Sequence, residues 1–428
     1  MRNAAYGVPA LIFVFLAAVY FITARGYAEV SDSVFSMRTV QSIIEKGTFA
    51  IDAESGQEGW VFRAPSGEIF SKYGIGLPIL WIPFGAAAKA ISAVSGIGMM
   101  SVLDFLVSFH GIFFGAGACV IAFHIARLFR ASVKTAAAAA LALGLCTACW
   151  RYSVSDLSEI SQAFFMLACV YCVIKDPPDR VLTGSAAFGM LLLIKIVNMI
   201  YLPAFLAYMT VKSRPEFRAG LFRAARFLIF PCMALALIAA MNHLRFGNPF
   251  ESGYGREVAL FSVRGMAAHI WQMLFSAKDG LFIFSPVLLL GAAGYSLLFR
   301  AARSESIFFA SILLICVAVF STWHSYSSRF MVPVMPLLIF PAFMFAGRSS
   351  PAKRITAVLI AVSFATQFTA VMQPRSEYKD GIFLWYRLLA VKFDIPALNF
   401  IPLLFAPLII MTGIRLVRSI KREDRLRA

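Results

Sequence analysis

Long apolar stretches are the feature that most constrains how this chain of 428 residues folds. A helix needs about 20 apolar residues to cross the hydrocarbon core of a membrane. Hydrophobic residues make up 60% of the chain and charged residues 14%, which excludes an ordinary soluble domain and a disordered chain. The stretches run near residues 8–24, 102–127, 134–150, 159–174, 181–197, 198–211, 225–243, 280–299, 305–322, 329–346, 354–372 and 398–417. The sequence therefore predicts an all-α, polytopic membrane protein with about 12 transmembrane helices, forming one integral membrane domain over residues 1–428.

The basic residues are distributed unevenly between the connecting segments. If the N-terminus is cytoplasmic, the inner segments hold 22 of the 39 Lys and Arg but six of the 22 Asp and Glu. Cytoplasmic loops of membrane proteins carry such a basic excess. We therefore expect both termini in the cytoplasm and a location in the plasma membrane, in bacteria the inner membrane. The net charge of +17 is then an orientation signal and a match to anionic lipid, and it does not indicate nucleic acid.

Three outer connections are long, and long loops in compact proteins are usually functional. They cover residues 25–101, 244–279 and 373–397. Within the first, residues 75–98 are apolar but carry Pro78, Pro83 and Lys89, and counting them as a span would reverse the sidedness of the basic segment that follows. We interpret them as a re-entrant or interfacial segment on the outer face, where any chemistry is expected.

The first outer connection begins with a pattern typical of an amphipathic surface helix. Ser31 is suited to an N-cap, and Val34, Met37, Val40 and Ile44 lie along one helical stripe. Lys46 and Gly47 provide a basic last turn and a left-handed cap. Asp32 falls in the first turn, where a carboxylate can complement the helix dipole or serve a catalytic site.

This arrangement resembles the C-type (GT-C) superfamily of membrane glycosyltransferases, particularly the lipid A aminoarabinose transferases and protein O-mannosyltransferases. In that superfamily the first outer loop places an acidic residue just after the first span, followed by a surface helix that ends in Gly. Asp32 and Gly47, fifteen residues apart, match this order. The family motif is usually Asp-Glu, whereas the second position here is Ser33, with Glu29 upstream.

Further short matches to the superfamily follow along the chain on the predicted outer side. Lys72 and Tyr73 resemble the family's Lys/Tyr-Pro segment, in which the lysine approaches the donor phosphate. A second acidic position falls in the outer turn after the third span. The remaining matches are at or near the outer ends of later spans. The matching residues are Lys72, Tyr73, Asp156, Glu159, Lys195, Arg245, Tyr254, His324 and Arg329.

The resemblance implies transfer of a sugar from a polyprenyl-phosphate donor to a glycolipid, glycan or protein acceptor. It implies Asp32 as the catalytic base, with Asp156 and Glu159 as catalytic assistants or acceptor-binding groups. Glu29, Tyr73, Tyr254 and His324 would line the substrate site. Lys72, Lys195, Arg245 and Arg329 would stabilise the departing phosphate. From the residues alone, Arg245 and Arg329 are each more often interfacial anchors than ligands, whereas extension of Lys195 to the headgroups and a functional role are equally compatible with its position.

Metal binding has little support in the sequence. The five histidines show no His-x-x-x-His spacing. Two Cys-x-x-Cys pairs, Cys146 with Cys149 and Cys169 with Cys172, are predicted at different membrane depths, so we interpret all seven cysteines as buried apolar residues. Some superfamily members use a divalent cation and others do not, so the resemblance leaves this cofactor open.

Two alternative functions remain open from the sequence. A transporter or flippase of a lipid-linked saccharide would also be polytopic, although such proteins tend to show two similar halves and charges near the midplane. A non-catalytic homologue that only binds a lipid-linked sugar is suggested by Ser33 at the family's second acidic position.

Overall fold

The computed structural model describes residues 7–28, 31–52, 59–175, 178–212, 216–255, 260–323, 327–372 and 385–425. Most of this chain is helical. The helices are α1 (Gly7–Thr23), α2 (Ser31–Lys46), α3 (Gly76–Ser95), α4 (Met99–Val107), α5 (His110–Leu128), α6 (Val133–Leu145), α7 (Cys149–Ser153), α8 (Glu159–Lys175), α9 (Pro178–Ile194), α10 (Leu202–Lys212), α11 (Phe217–Phe246), α12 (Met266–Phe275), α13 (Leu281–Phe284), α14 (Leu289–Ala301), α15 (Arg303–Phe320), α16 (Ile339–Ala346), α17 (Ser350–Met372), α18 (Trp385–Lys392) and α19 (Ile401–Arg425). Short 3-10 helices cover Ile196–Tyr201, Pro286–Leu288, Ser328–Met331, Met335–Leu338 and Pro396–Phe400.

The apolar helices confirm the predicted all-α, polytopic fold. Within the described ranges, six helices are long and apolar enough to cross a membrane: Gly76–Ser95, Met99–Leu128, Phe217–Phe246, Arg303–Phe320, Ser350–Met372 and Pro396–Glu423. Shorter apolar helices include Gly7–Thr23, Val133–Leu145, Arg180–Ile194, Ile196–Lys212, Pro286–Ala301 and Met335–Ala346. Each predicted stretch coincides with one of these helices or with α8.

Several predicted spans are interrupted where the sequence suggested continuous helices. The stretch at 280–299 divides into α13, a 3-10 turn and α14, and the stretch at 329–346 consists of two 3-10 turns followed by α16. Pro286 and Pro336 lie in the first turns of two of these 3-10 helices. Proline cannot donate a backbone hydrogen bond, so it is favoured at the start of a helix and unfavourable inside one.

The main hydrophobic core lies where α1, α5, α6, α8 and α9 pack together, and it continues into the later helices. Helix α6 is rich in alanine, and small residues allow helices to approach closely. Two buried hydrogen bonds fix the end of α1. The Tyr20 hydroxyl donates to the Gly144 carbonyl at 2.9 Å, and Trp150 Nε1 donates to Thr23 Oγ1 at 3.1 Å. These contacts hold the chain immediately before the Asp32 segment.

A second, smaller hydrophobic cluster is formed by α2, α3 and α4. Met37 and Val40 from the predicted stripe of α2 are buried in this cluster with Leu77 and Trp81 of α3. Gly47 has a φ of +68°, as the predicted left-handed cap requires. Helix α3 is the apolar segment at 75–98, and it forms a continuous helix of 20 residues. Its re-entrant or interfacial position on the outer face stays a prediction.

A short antiparallel hairpin lies between α2 and α3. Its strands, β1 (Val61–Arg63) and β2 (Ile69–Ser71), pair Phe62 with Phe70. The Phe62 ring packs edge-on against Phe246 at the end of α11, with ring centroids 5.1 Å apart. Lys72 and Tyr73 directly follow β2, so the hairpin fixes where these two predicted site residues leave the sheet.

Candidate active site

Asp32 lies in the first turn of α2 and is half-buried. Its Oδ1 accepts a hydrogen bond of 2.7 Å from the Tyr73 hydroxyl. This short bond joins two residues 41 positions apart that the sequence assigned to the same site. The phenol orients the carboxylate and leaves its other oxygen able to accept a proton, as a general base requires.

The start of α2 also contacts the second acidic segment. Ser33 Oγ donates a buried hydrogen bond of 3.2 Å to the Asp156 carbonyl. Asp156 itself is fully buried. Ser33 therefore connects the segment of the first acidic residue to the backbone of the second.

Asp104 is a third carboxylate in this region that the sequence analysis missed. Its Oδ1 accepts a hydrogen bond of 2.8 Å from the Ala28 backbone amide, just before α2, and it interacts electrostatically with Asp156. Asp104 lies within the apolar helix α4, and an ionisable residue inside such a helix is a signal that could have identified it.

Lys72 and Tyr73 lie among basic and aromatic side chains. The Lys72 ammonium is 5.6 Å from the centre of the Tyr73 ring and 5.3 Å from that of Tyr254. Arg245 is buried and donates a hydrogen bond of 3.2 Å from Nη1 to the Tyr73 carbonyl. The interfacial-anchor interpretation of Arg245 is therefore replaced by a role inside the fold, beside Tyr254.

Two glycines bring this segment against the end of α9. A Cβ added to Gly74 would lie 2.5 Å from the Ile194 carbonyl oxygen, and one added to Gly76 would lie 2.4 Å from the Ile194 amide nitrogen. Only glycine permits such close contact between backbones. The next residue after Ile194 is Lys195, so these contacts place the Lys72–Tyr73 segment beside it.

Lys195 forms an ion pair with Glu159, at 2.8 Å between Nζ and Oε1. The Arg329 guanidinium also acts electrostatically on Glu159. Both cations lie over the Phe330 ring, the Lys195 ammonium 5.9 Å and the Arg329 guanidinium 4.9 Å from its centre. Phe330, a further residue that the sequence analysis missed, thus contacts two of the predicted cations.

These contacts form a closed circuit, which we call the site ring. Asp32 is hydrogen-bonded to Tyr73, and the adjoining Gly74 and Gly76 contact the backbone beside Lys195. Lys195 forms the ion pair with Glu159, which lies three residues after Asp156. The Asp156 carbonyl accepts a hydrogen bond from Ser33, which adjoins Asp32 and completes the ring. Arg245, Lys72 and Tyr254 lie beside its Tyr73 corner, and Arg329 lies beside its Lys195 corner. The predicted residues Glu29 and His324 lie outside the described residues.

Metal ligands were not predicted, and a divalent cation was left open. Among the residues that the structure describes, no group of three or more His, Cys, Asp or Glu side chains converges as a metal site. The seven cysteines are all unpaired, and six of them are buried, as expected for apolar residues, whereas Cys232 is exposed.

No protein-family model matches the chain. A search of curated proteins also gives no match. Solved structures, however, share its fold. ArnT from Cupriavidus metallidurans, bound to undecaprenyl phosphate, is 15% identical with a TM-score of 0.55, over 96% of this chain and 73% of ArnT.

Archaeal oligosaccharyltransferases match with similar scores. The enzyme from Archaeoglobus fulgidus in complex with Zn and sulfate is 14% identical with a TM-score of 0.59, over 90% of this chain and 55% of that one. AglB from the same organism, in complex with an inhibitory peptide and a dolichol-phosphate, is 12% identical with a TM-score of 0.57, over 94% of this chain and 59% of AglB. The chain thus spans little more than half of the archaeal proteins. These similarities confirm the predicted GT-C-like fold.

Proposed function

We propose that this protein is an integral membrane glycosyltransferase that transfers a sugar from a polyprenyl-phosphate donor to an acceptor hydroxyl. The observation that carries the proposal is the site ring, which connects the half-buried Asp32 carboxylate through Tyr73 to the segments that carry Lys72 and Lys195. The shared fold supports it, because two proteins with that fold are known in complex with undecaprenyl phosphate and dolichol-phosphate.

Asp32 acts as the general base in this proposal. It takes the proton of the acceptor hydroxyl while the acceptor oxygen forms a bond to the anomeric carbon. The bond between that carbon and the phosphate oxygen breaks, and its electron pair leaves with the polyprenyl phosphate. Tyr73 orients Asp32 through its hydroxyl, and Asp156 assists from the adjoining segment.

The leaving phosphate gains charge in the transition state, which fixed positive groups stabilise. Lys72, Lys195, Arg245 and Arg329 supply that charge from two corners of the site ring. Arg245 is held by the Tyr73 carbonyl, so its guanidinium is already in place before a donor arrives. The acceptor can be a glycolipid, a glycan or a protein, and the surrounding lipid is the other partner.

The site ring faces the outer side of the membrane in this proposal, with both termini in the cytoplasm. The support is the distribution of Lys and Arg between the two sets of connections. The donor phosphate would then lie at the outer headgroup level, with its lipid tail in the bilayer.

Asp32→Asn tests the proposal. We expect a loss of sugar transfer of about 10²- to 10⁴-fold, the range that general base catalysis contributes, because the amide cannot accept the proton. The measurement is transfer from a radiolabelled polyprenyl-phosphate sugar by the purified protein. The matched control is Asp52→Asn, which removes a carboxylate paired with Lys46 on the exposed surface of the same connection and should leave transfer unchanged.

Full activity of Asp32→Asn would remove the proposed base. A wild-type protein that binds the donor but transfers no sugar would favour the non-catalytic homologue. Movement of labelled donor between the leaflets without sugar transfer would favour the flippase.

A further inference from the structure

Lys195 occupies a break between two helices. Helix α9 ends at Ile194, and a 3-10 helix begins at Ile196, so Lys195 has extended backbone with φ of −146°. Its side chain is 30% exposed, so the ammonium is accessible from outside the core. An ammonium has three N–H donors. In the described structure Lys195 Nζ donates one hydrogen bond, to Glu159 Oε1.

Glu159 is enclosed by contrast, with a side chain that is 1% exposed. Its Oε1 accepts from Lys195, whereas its Oε2 is a buried oxygen for which no hydrogen-bond donor is found among the described residues. A carboxylate so enclosed is poorly placed to receive a proton from an acceptor. Glu159 contacts the rest of the site through the Lys195 ammonium.

A second ion pair provides a comparison within the same molecule. Lys212 and Glu305 lie 2.7 Å apart, with side chains 30% and 15% exposed, at the other end of the helical segment that begins after Lys195. We call Lys195–Glu159 the site pair and Lys212–Glu305 the distal pair. Lys212 Nζ donates to Glu305 at 2.7 Å, to the Tyr208 hydroxyl at 2.7 Å and to the Ile174 carbonyl at 3.4 Å. All three donors of Lys212 are therefore used, whereas two donors of Lys195 have no acceptor among the residues that the structure describes and remain for a ligand.

We propose that Glu159 is a positioning residue for the donor phosphate and not a catalytic residue. It holds the Lys195 ammonium in place so that two of its N–H groups can bind phosphate oxygens. This inference rests on the proposed function, since it assigns a partner to Lys195 within the same site. It changes the role that the sequence suggested for Glu159, which was assistance to the base or acceptor binding.

Holding Lys195 in place before binding should increase the affinity of the site for the donor phosphate. A free lysine side chain loses rotamer entropy when it is immobilised on a ligand. The ion pair and the Phe330 ring fix Lys195 before the donor arrives. Arg329, over the same ring, helps to neutralise Glu159 when the phosphate shares the Lys195 ammonium. Removing the Glu159 charge should therefore raise the KM for the donor and change kcat much less.

The experiment is a double-mutant cycle on the full-length protein with Glu159→Gln, Lys195→Ala and the double variant. Donor and acceptor KM and kcat are measured for sugar transfer, and binding of undecaprenyl phosphate is measured separately. We expect Glu159→Gln to raise the donor KM about 10-fold, the lower end for loss of a charge-assisted hydrogen bond. Acceptor KM should not change. In the Lys195→Ala background the same substitution should change donor KM less than about twofold, because contacting residues that act together are not additive.

Glu305→Gln is the matched control, since it neutralises the acid of the distal pair and should leave donor KM unchanged. The inference is overturned if Glu159→Gln lowers kcat with donor KM unchanged, if its effect adds to that of Lys195→Ala, or if Glu305→Gln raises donor KM equally. A wild-type protein that binds undecaprenyl phosphate but transfers no sugar would refute the proposed function, and the binding cycle would still decide the inference. A wild-type protein that does not bind it would overturn both.

Discussion

The site pair and the distal pair are chemically the same but differ in how completely their hydrogen bonds are used. Both join a 30%-exposed lysine to a glutamate, at 2.8 Å in one and 2.7 Å in the other. The distal pair is completed by Tyr208, whose hydroxyl donates to Glu305 at 2.9 Å and accepts from Lys212. The site pair has no such third group among the described residues, apart from the aromatic ring of Phe330.

This difference shows that the N–O distance of an ion pair and the exposure of its lysine do not distinguish a structural contact from a binding site. A lysine whose donors are all used ties helices together, and here the distal pair joins α10 to α15. A lysine with unused donors at a helix break can bind a ligand. The number of hydrogen bonds that each lysine ammonium donates distinguishes the site pair from the distal pair.

Among the variants that test this comparison between the two pairs, the largest effect should come from removing the lysines of the candidate site. We expect Lys72→Ala and Lys195→Ala each to raise donor KM about 30- to 100-fold, because each removes a charged contact to the phosphate. Lys212→Ala should lower the melting temperature and leave donor KM within about twofold, because all donors of Lys212 are used within the fold. Steady-state kinetics with donor and acceptor varied in turn provide the measurement.

Equal losses for donor and acceptor would contradict the phosphate role of these lysines. Lys195→Ala leaves the buried Glu159 charge without its partner, which is destabilising. The double variant with Glu159→Gln removes both charges and keeps the comparison valid if the single variant folds poorly.

An intermediate effect is expected where the Lys72–Tyr73 segment packs against α9. Gly74→Ala places a methyl group 2.5 Å from the Ile194 carbonyl oxygen, so the segment must move away from Lys195. We expect transfer to fall about 10-fold and the melting temperature to decrease, since overpacking costs about 1–3 kcal/mol. Gly98→Ala is the control, because a Cβ there meets nothing within 4 Å. Unchanged transfer in Gly74→Ala would show that this contact does not position the cations.

The smallest effect on transfer should come from removing the hydroxyl of Tyr73 in the candidate site, and we compare it with removal of the hydroxyl of Tyr208 in the distal pair. Tyr73→Phe deletes the donor to Asp32, and we expect kcat to fall about fivefold with donor KM unchanged, in the range of a single hydrogen bond of about 1 kcal/mol. Tyr208→Phe deletes the matching phenol of the distal pair and should lower the free energy of unfolding by about 1 kcal/mol without changing kcat. Loss of kcat in both variants would mean that Tyr73 acts only on stability.

Much of the fold was predictable because its signals are local. The stripe of α2 and the cap at Gly47 follow from spacing within one helix, and both appear as expected. The apolar stretches mark the helices in the same way. The 3-10 breaks near Pro286 and Pro336 were missed because apolar composition alone does not reveal where a helix stops.

The structure connects several residues that the resemblance named, and their roles stay predictions. Asp32, Tyr73, Asp156 and Lys195 do come together in the site ring, which the resemblance implied and local sequence could not. The pairing of Glu159 with Lys195 joins residues 36 positions apart, and it depends on how α8 and α9 pack. The same reason explains why Phe330 was missed.

The unsatisfied oxygen of Glu159 has a thermodynamic consequence for the whole protein. A desolvated acceptor without a donor costs about 1–3 kcal/mol, and a well-packed apolar replacement for a buried ion pair is often at least as stable. This oxygen therefore lowers the free energy of unfolding by that amount relative to a fully hydrogen-bonded carboxylate. Stability alone would therefore permit leucine at this position, whereas the proposed positioning of Lys195 requires a charge there.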